Sequence, residues 1–320
     1  MSENLLDVKN LNAIYHSHGE IVEAVNGVTF SLKRGETLGL VGETGAGKTT
    51  TALSILKLLP QNTGEITSGD IIFSNQNITK LSENEMQSIR GNKISMIFQD
   101  PMTSLNPVLT IGDQIAEVLL IHSNYSKENI QIKVNEMLEL VGIPSTRKKE
   151  YPHQFSGGMK QRVVIAMALA CNPELLIADE PTTALDVTIQ AQVLELMNQL
   201  KTQNNTSILL ITHDLGVVAE TCENVAIIYA GEIIEYGTLR DVFGSKKRHP
   251  YTEGLFGSIP DMNSNEKRLK PIAGLMPNPT QLPKGCKFHP RCQHVMEICK
   301  TVQPSIWTND SHQIKCHLFE

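Results

Sequence analysis

The 320-residue sequence contains no run approaching the roughly 18 consecutive apolar residues that a membrane-spanning helix needs. It also lacks the basic, apolar leader of a secreted protein, since its first ten residues, MSENLLDVKN, are acidic where a signal peptide is positively charged. These absences argue against an integral membrane protein and against a secreted one. They predict a chain that stays in the cytosol.

The sequence also has little positive charge and few aromatic residues. Its 28 Lys and Arg residues are outnumbered by 34 Asp and Glu, which gives a formal net charge of −6, and aromatic residues make up 5% of the chain. Proteins that bind nucleic acid need a basic surface for phosphates and, on single strands, aromatic rings for the bases. We therefore expect no nucleic acid among the partners of this chain.

Several apolar, β-branched segments run directly into polar loops and predict buried strands. These segments are ETLGLVG, KISMIFQ, ELLIADE and TSILLITHD. Because longer amphipathic stretches separate them, the pattern predicts an α/β fold with a mostly parallel sheet whose chemistry lies at the strand ends. Alternating apolar and polar residues in LLDVKNLNAIY and IVEAVNGVTFSLKRGE predict antiparallel strands that precede this sheet.

Composition changes along the chain predict its domain organisation. Apolar residues at helical spacing in TIGDQIAEVLLIH and SKENIQIKVNEMLELVG predict a helical subdomain, at about 101–173, inserted into a domain of residues 1–240. After this domain Pro and Gly become frequent, and PIAGLMPNPTQLPKG is typical of an extended linker. Residues 241–320 are therefore predicted to form a C-terminal extension.

The segment GETGAGKT at 42–49 matches the phosphate-binding pattern GxxxxGK[ST] and lies between a predicted strand and a predicted helix. Its glycines allow backbone N–H groups to face phosphate oxygens, and the helix N-terminus adds positive potential. Lys48 is predicted to reach the β- and γ-phosphates, and the Thr49 hydroxyl to ligate Mg²⁺. The predicted ATP-binding residues of this loop are Gly42, Glu43, Thr44, Gly45, Ala46, Gly47, Lys48, Thr49 and Thr50.

The segment LLIADE is an apolar strand that ends in two carboxylates. This arrangement predicts Asp179 at the metal ion and Glu180, as general base, beside the water that attacks the γ-phosphate. Apolar runs that end in acidic residues are common, so an exposed acidic strand end without a catalytic role is the alternative interpretation.

The segment FSGGMKQR at 155–162 resembles the signature sequence of ABC ATPases. Taken locally, Ser156 also predicts the N-cap of a helix. The exposed N-terminus of such a helix can bind phosphate, but this chain already has a phosphate-binding loop of its own. The resemblance implies that Ser156, Gly157, Gly158 and Gln161 close over ATP held by another cassette.

Further segments resemble the remaining ABC motifs, in the order in which the family has them. Gln99 in IFQDP resembles the Q-loop glutamine, which contacts Mg²⁺ and water and senses the membrane subunits; a plain turn is the alternative. Asp186 in TTALD resembles the D-loop aspartate at the dimer interface, or a helix N-cap. His213 in LLITHD resembles the switch histidine at the γ-phosphate, and Tyr15 the aromatic that stacks on adenine, although either could be structural. The resemblance covers roughly residues 5–240.

Four of the six cysteines lie close together near the C-terminus, in GCKFHPRCQHVMEIC and KCH, and are Cys286, Cys292, Cys299 and Cys316. Their spacing differs from the short CxxC knuckles typical of structural zinc, and four thiolates also suit an iron–sulfur cluster. Together with HPYTEGL, this tail resembles the C-terminal extension of oligopeptide and dipeptide permease ATPases, in which these cysteines hold a [4Fe-4S] cluster. Zn²⁺, free thiols and disulfides are the alternatives.

The resemblance implies an ATPase on the cytoplasmic face of the cell membrane that powers a bacterial ABC importer for dipeptides or oligopeptides. The implied partners are a second, paralogous or identical, ABC ATPase subunit, two transmembrane permease subunits and an external solute-binding protein. Nickel and metallophore importers share this cassette type. A soluble ABC ATPase acting on DNA or ribosomes is the competing interpretation, but the sequence has neither the long coiled-coil insertion nor the second cassette usual in that class.

Overall fold

The computed structural model describes residues 4–17, 19–100, 104–182, 186–258 and 272–320. Three predicted features lie partly outside these ranges: the start of the helical insertion at 101–103, the D-loop at 183–185 and the first residue of the linker at 271. The strands are β1 Asn4–Ser17, β2 Glu20–Lys33, β3 Thr37–Val41, β4 Gly64–Phe73, β5 Gln76–Asn77, β6 Ile94–Ile97, β7 Leu175–Asp179, β8 Ser207–Thr212, β9 Asn224–Tyr229, β10 Glu232–Thr238, β11 Ile306–Asn309 and β12 His312–Lys315.

The α-helices that the structure describes lie mostly between these strands, as the alternating sequence pattern predicts. They are α1 Lys48–Ile55, α2 Glu83–Ile89, α3 Ile111–His122, α4 Lys127–Leu140, α5 Gly157–Leu169, α6 Val187–Asn204, α7 Leu215–Thr221, α8 Leu239–Gly244 and α9 Pro250–Gly257. Short 3₁₀ turns, such as His289–Arg291, occur in the C-terminal part. None of the described helices is both long and apolar enough to span a bilayer.

The chain forms two compact units, each made of several segments. The first unit holds the described residues of Met1–Leu5, Leu32–Thr37 and Lys80–Ile211. The second holds Leu6–Ser31, Leu38–Thr79 and the described residues of Thr212–Glu320. The predicted boundary near residue 240 therefore falls inside the second unit, and the division into domains at that point stays a prediction.

The first unit is built on the parallel strands β6, β7 and β8, with β7 in the middle. Every residue of β7 and β8 is buried, as expected for parallel strands covered on both faces. Glu180 directly follows β7, and Gln99 is the second residue after β6, so the ends of these neighbouring strands bring two predicted site residues to the same edge.

The predicted helical subdomain is confirmed in the same unit. Helix α3 begins after Thr110, whose hydroxyl accepts a hydrogen bond from the Asp113 N–H, and Ser126 caps α4 in the same way through the Asn129 N–H. Helices α3 and α4 pack on each other and on α5. Their apolar faces supply buried residues at helical spacing, including Ile111, Ile115, Leu119, Ile130, Val134 and Leu138.

The second unit contains the predicted N-terminal antiparallel strands and the phosphate-binding loop. Strands β2, β1, β4 and β5 form one sheet, in that order, and β11, β12, β10, β9 and β3 lie side by side in another. Strand β3, which leads into the phosphate-binding loop, is parallel to β9, whereas β10, β12 and β11 continue the sheet in antiparallel fashion. The C-terminal tail thus joins the sheet through β12, a pairing that the sequence pattern does not predict.

Candidate nucleotide site

The phosphate-binding loop (P-loop, residues 42–49) lies between β3 and α1, as its sequence pattern requires. Two glycines are needed for its shape. Gly47 has a left-handed φ of 100°, and a Cβ atom there would collide with the Ala24 carbonyl oxygen. A Cβ atom on Gly42 would collide with the Ile228 carbonyl oxygen. The loop backbone is therefore tightly packed on its second-unit neighbours.

The Lys48 side chain is held inside the P-loop at the start of α1. It is 6% exposed, and its Nζ donates to the carbonyl oxygens of Gly42 and Glu43 over 2.7 and 3.1 Å. The next residue, Thr49, is exposed in the first turn of α1. A buried ammonium group and an exposed hydroxyl at a helix N-terminus are suited to phosphate and to its metal ion respectively.

Tyr15 and His213 lie in the same unit as the P-loop. Near the end of β1, the half-buried Tyr15 places its hydroxyl 3.4 Å from the Thr50 Oγ1 on α1, so the structure brings this ring to the helix that follows the P-loop. His213 is exposed and directly follows β8. Beside it, Asp214 caps α7 by accepting hydrogen bonds from Gly216 and Val217 N–H groups, which fixes the chain direction at this strand end.

Glu180 has an unusual backbone conformation at the end of β7. Its φ is +48°, in the left-handed region that residues with a Cβ atom seldom adopt, and its N–H donates to the Ile211 carbonyl over 2.8 Å. Asp179 and Glu180 are 2% and 9% exposed. Such strain is typical of sites where a side chain has to be aimed in one direction.

The structure brings Gln99 into contact with Glu180. The Gln99 Nε2 donates to a Glu180 carboxylate oxygen over 3.1 Å. The two residues belong to motifs 81 positions apart, and they meet because β6 and β7 are parallel neighbours. The amide orients the carboxylate, while Gln99 itself stays exposed and open to a ligand.

The signature segment forms the start of α5. Ser156 is exposed and caps the helix by accepting a hydrogen bond from the Met159 N–H over 3.4 Å, while Gly157 has open space around its Cα. Gly158 is closer to neighbours, since a Cβ atom there would lie 2.9 Å from Ile189. Ser156 and Gly157 therefore present an accessible helix N-terminus.

Gln161 is in a different environment from the rest of the signature segment. It is 2% exposed, and its Nε2 donates to the Pro181 carbonyl over 2.7 Å. Within this chain it joins α5 to the loop that follows Glu180. Its role at a partner's nucleotide stays a prediction, and the structure gives it a second role as a link between the signature helix and the carboxylate strand.

Asp186 is an exposed N-cap of α6, where its carboxylate accepts a hydrogen bond from the Ile189 N–H over 3.0 Å. This is the local alternative that the sequence leaves open. A capping role does not conflict with a place in a dimer interface, because the residue is at the surface. That interface role stays a prediction.

The four tail cysteines line one small cavity in the second unit. Its walls also include His249, Phe288, His289, His294 and His317. All six cysteines carry free thiols. Burial raises the pKa of Cys286 and Cys316 to about 11, and it also raises the pKa of Cys292. The four cysteines lie near one another in the sequence, and the fold places all four around the same cavity.

Two residues at the P-loop were not predicted from the sequence. Tyr251, in the HPYTEGL segment, and Arg291, between two of the tail cysteines, both contact Glu43. The family resemblance associates HPYTEGL with the tail, and nothing in its local sequence predicts that it reaches the P-loop. Tyr251 and Arg291 reach Glu43 only in a fold that returns the C-terminal tail to β10.

Two family descriptions match the chain. "ABC transporter" matches residues 25–183, and "Oligopeptide/dipeptide transporter, C-terminal region" matches residues 234–299. The first match contains the P-loop, the signature segment and both carboxylates. The second contains the HPYTEGL segment and three of the four tail cysteines.

Relatives of known function resemble almost the whole chain. The dipeptide transport ATP-binding protein DppD of Bacillus subtilis is 51% identical over 99% of this chain and 95% of its own length. The oligopeptide transport ATP-binding protein OppD of Escherichia coli is 50% identical over 95% of this chain and 90% of its own.

A solved structure of the ATP-binding cassette MJ0796, a dimer bound to ADP and phosphate, has a TM-score of 0.67 and 30% identity. The match covers 73% of this chain and 99% of the cassette. The predicted α/β P-loop fold, with N-terminal antiparallel strands and a helical insertion, is thereby confirmed. The chain belongs to the ABC transporter ATP-binding proteins, in the branch of oligopeptide and dipeptide transport.

Proposed function

We propose that this chain is the ATP-hydrolysing subunit of a bacterial importer of dipeptides or oligopeptides. The observation that carries the proposal is the likeness to peptide-transport ATP-binding proteins, which is about half identical and spans nearly the full chain, tail included. The similarity of the tail is the main evidence for peptides as the substrate class, because ABC ATPases with other cargo share the same catalytic cassette. Within the cassette, the P-loop and the two carboxylates at the end of β7 each support a role in ATP hydrolysis.

In this proposal the P-loop binds the triphosphate. Lys48 exchanges its carbonyl partners for the β- and γ-phosphates, and backbone N–H groups of the glycine-rich loop face the phosphate oxygens. Tyr15, beside Thr50, stacks on the adenine ring. Thr49 and Asp179 supply hard oxygen ligands of the kind that Mg²⁺ prefers, and the ion would neutralise charge on the phosphates.

Glu180 is proposed as the general base for the attacking water. It accepts the water proton as the oxygen attacks the γ-phosphorus, and the bond between that phosphorus and the β–γ bridging oxygen breaks to release ADP. Gln99 holds the carboxylate through the 3.1 Å hydrogen bond, and its amide oxygen would be a further ligand for Mg²⁺. His213 contacts the γ-phosphate from the end of β8.

A second cassette is proposed to complete each nucleotide site. Ser156 and Gly157 present the exposed helix N-terminus that would cap ATP on the partner, with Gly158 and Gln161 behind them and Asp186 at the interface. MJ0796, which shares this fold, is described as dimeric. We therefore propose that the chain works with an identical or paralogous ATPase on the cytoplasmic face of the membrane. The two ATPases would act on two permeases, to which an external solute-binding protein delivers the cargo.

The transport role is tested by purifying the tagged chain from native membranes. We expect it to co-purify with permease proteins, and the matching solute-binding protein to carry a peptide. If the binding protein carries a nickel complex, the cargo is that complex and not a peptide. A chain that stays out of the membrane fraction and sediments with ribosomes would contradict the transporter assignment.

We also propose that Cys286, Cys292, Cys299 and Cys316 hold a [4Fe-4S] cluster. All four line one cavity, which is the donor set that such a cluster requires. As the described side chains are placed, no three His, Cys, Asp or Glu residues among them are close enough to hold one metal ion. One further feature of the cavity supports a bound group. The Nε2 atom of His249, which also lines the cavity, is buried without a hydrogen-bond partner.

His249 fits beside a cluster as a neutral donor. Burial lowers its pKa to about 3, and its Nδ1 already accepts a hydrogen bond from the Tyr251 N–H over 3.0 Å. The proton of the neutral ring therefore resides on Nε2, where it could be donated to a cluster sulfur. When bound, the cluster would supply structural cross-linking or one-electron chemistry to the tail.

We expect protein purified without oxygen to be brown and to contain about four irons per chain. Substituting Cys299→Ser should lower iron content and visible absorbance, because one of the four thiolate ligands is removed. Substituting Cys171→Ser is the matched control, since Cys171 lies outside the cavity and should leave the iron unchanged. Colourless protein that contains zinc would contradict the cluster.

A further inference from the structure

The P-loop is held from outside by the C-terminal part of the chain. The Tyr251 hydroxyl accepts a hydrogen bond from the Glu43 N–H over 3.0 Å. Arg291 makes a two-point ion pair with the Glu43 carboxylate, with Nη1–Oε2 and Nη2–Oε1 distances of 3.0 and 3.2 Å. Both the backbone and the side chain of this P-loop residue are therefore fixed by residues more than 200 positions away.

The ion pair is largely shielded from solvent, and the Arg291 guanidinium makes further hydrogen bonds. The Arg291 side chain is 6% exposed and that of Glu43 is 29% exposed. The Arg291 Nε also donates to the Ala273 carbonyl over 3.0 Å, and Nη1 lies 3.4 Å from the Tyr229 hydroxyl. Burial lowers the pKa of Arg291, but its hydrogen bonds to Glu43 and Tyr229 more than offset this and raise it overall. Two-point pairs of this kind are strong and restrict geometry.

The position of Arg291 depends on the tail cysteines. It ends the 3₁₀ turn His289–Arg291, which lies between Cys286 and Cys292. The His289 N–H donates to the Cys286 carbonyl over 3.1 Å, and the Cys292 N–H donates to the His289 carbonyl over 3.3 Å. Both cysteines line the cavity, and their backbones are hydrogen-bonded to this turn, so a backbone shift at either cysteine would be passed to the turn.

The same turn is anchored to Tyr251 by aromatic packing. Phe288, which precedes the turn, is 3% exposed, and its ring centroid lies 5.5 Å from that of Tyr251 and 5.2 Å from that of Tyr229. Both contacts with Glu43 thus come from one packed group next to the cysteines. Closely packed aromatic groups transmit displacement because they leave little free volume.

We propose that Arg291 is a positioning residue that couples the cysteine-lined cavity to the P-loop, so that ATP affinity falls when the cysteine site is disrupted. With the cysteine site intact, the turn holds the guanidinium against Glu43 and keeps the P-loop in its binding shape. When a cysteine is lost, Arg291 withdraws and Glu43 is left partly buried without its cation. The inference rests on the proposed function, because it requires the P-loop to bind ATP.

The test measures equilibrium binding of a fluorescent ATP analogue to the purified full chain. We expect Arg291→Ala to weaken binding on the order of tenfold and Arg291→Lys, which keeps the charge but loses the two-point contact, to weaken it less. The matched control is Lys287→Ala. Lys287 follows Cys286 as Arg291 precedes Cys292, but its Nζ donates to the Pro283 carbonyl over 3.0 Å, so binding should not change.

A second pair of variants tests the link to the cysteines. Cys292→Ser should weaken ATP binding by about the same factor as Arg291→Ala, and the double variant should be no weaker than either single variant. Additive losses, or wild-type affinity in both single variants, would overturn the coupling. Because Arg291→Ala could unfold the tail, circular dichroism and iron content are measured on each protein, and folded Arg291→Lys with unchanged affinity also counts against the proposal.

Failure of the coupling can be told apart from failure of the proposed function by one further variant. Lys48→Ala, measured beside these variants, reports whether the P-loop binds ATP at all. Normal binding by Lys48→Ala would overturn the proposed function. Loss of binding in Lys48→Ala with normal binding in Arg291→Ala would overturn the coupling alone.

Discussion

Replacing Glu180 with Gln is expected to abolish ATP turnover while leaving ATP binding intact. A general base contributes about 10² to 10⁴ in rate, and Gln cannot accept the water proton. The substitution should not disturb the site otherwise. Gln has the same shape, meets the same strained backbone at φ +48°, and its amide oxygen can still accept the hydrogen bond from Gln99. Phosphate release and equilibrium nucleotide binding measure the two effects separately.

The same variant should accumulate a closed cassette dimer in the presence of ATP, because bound nucleotide is no longer consumed. Size-exclusion chromatography with ATP would detect it. Glu174→Gln is a suitable control, since Glu174 precedes β7 at its opposite end and forms a surface ion pair with Arg34 over 2.8 Å. We expect that control to keep normal turnover. Should Glu180→Gln hydrolyse ATP at the normal rate, Glu180 is not the base.

Replacing Lys48 with Ala is expected to weaken ATP binding roughly a hundredfold, because each charge-assisted hydrogen bond to phosphate contributes about 1.5–3 kcal/mol. The Lys48 ammonium group is buried in the P-loop, so surrounding solvent cannot substitute for it. Calorimetric titration with ATP measures the loss.

Lys57→Ala provides the comparison for Lys48→Ala. Lys57 lies just past the other end of α1, and its Nζ donates to the Thr79 carbonyl over 3.2 Å. Removing it changes the net charge by the same amount without touching the P-loop, so ATP affinity should stay within about twofold of normal. Equal losses in the two variants would indicate a general charge effect and contradict a specific phosphate contact.

Features that depend on short stretches of chain were predictable from the sequence. Strands β3, β7 and β8 are apolar except at their ends, so the burial of their central residues follows from composition. The P-loop pattern also indicates its own backbone, because Gly47 has a left-handed φ of 100° that a residue with a Cβ atom seldom adopts.

Features that depend on which strands become neighbours were not predictable. Gln99 and Glu180 were identified as separate motifs, and only the pairing of β6 with β7 shows that one orients the other. Gln161 was expected at a partner's nucleotide, yet its amide is buried against the Pro181 carbonyl. Such contacts depend on packing between segments far apart in the chain, which local patterns do not encode.

The sequence by itself determined the α/β class, the P-loop, the two carboxylates and the grouping of the tail cysteines. Each of these follows from residue types and their spacing along the chain, without knowledge of which distant segments touch. Only the tertiary structure decided that the tail returns through β12 to β10 and that Arg291 reaches Glu43. The physical reason is that an ion pair between positions 248 residues apart forms only when the intervening chain has folded to bring its ends together.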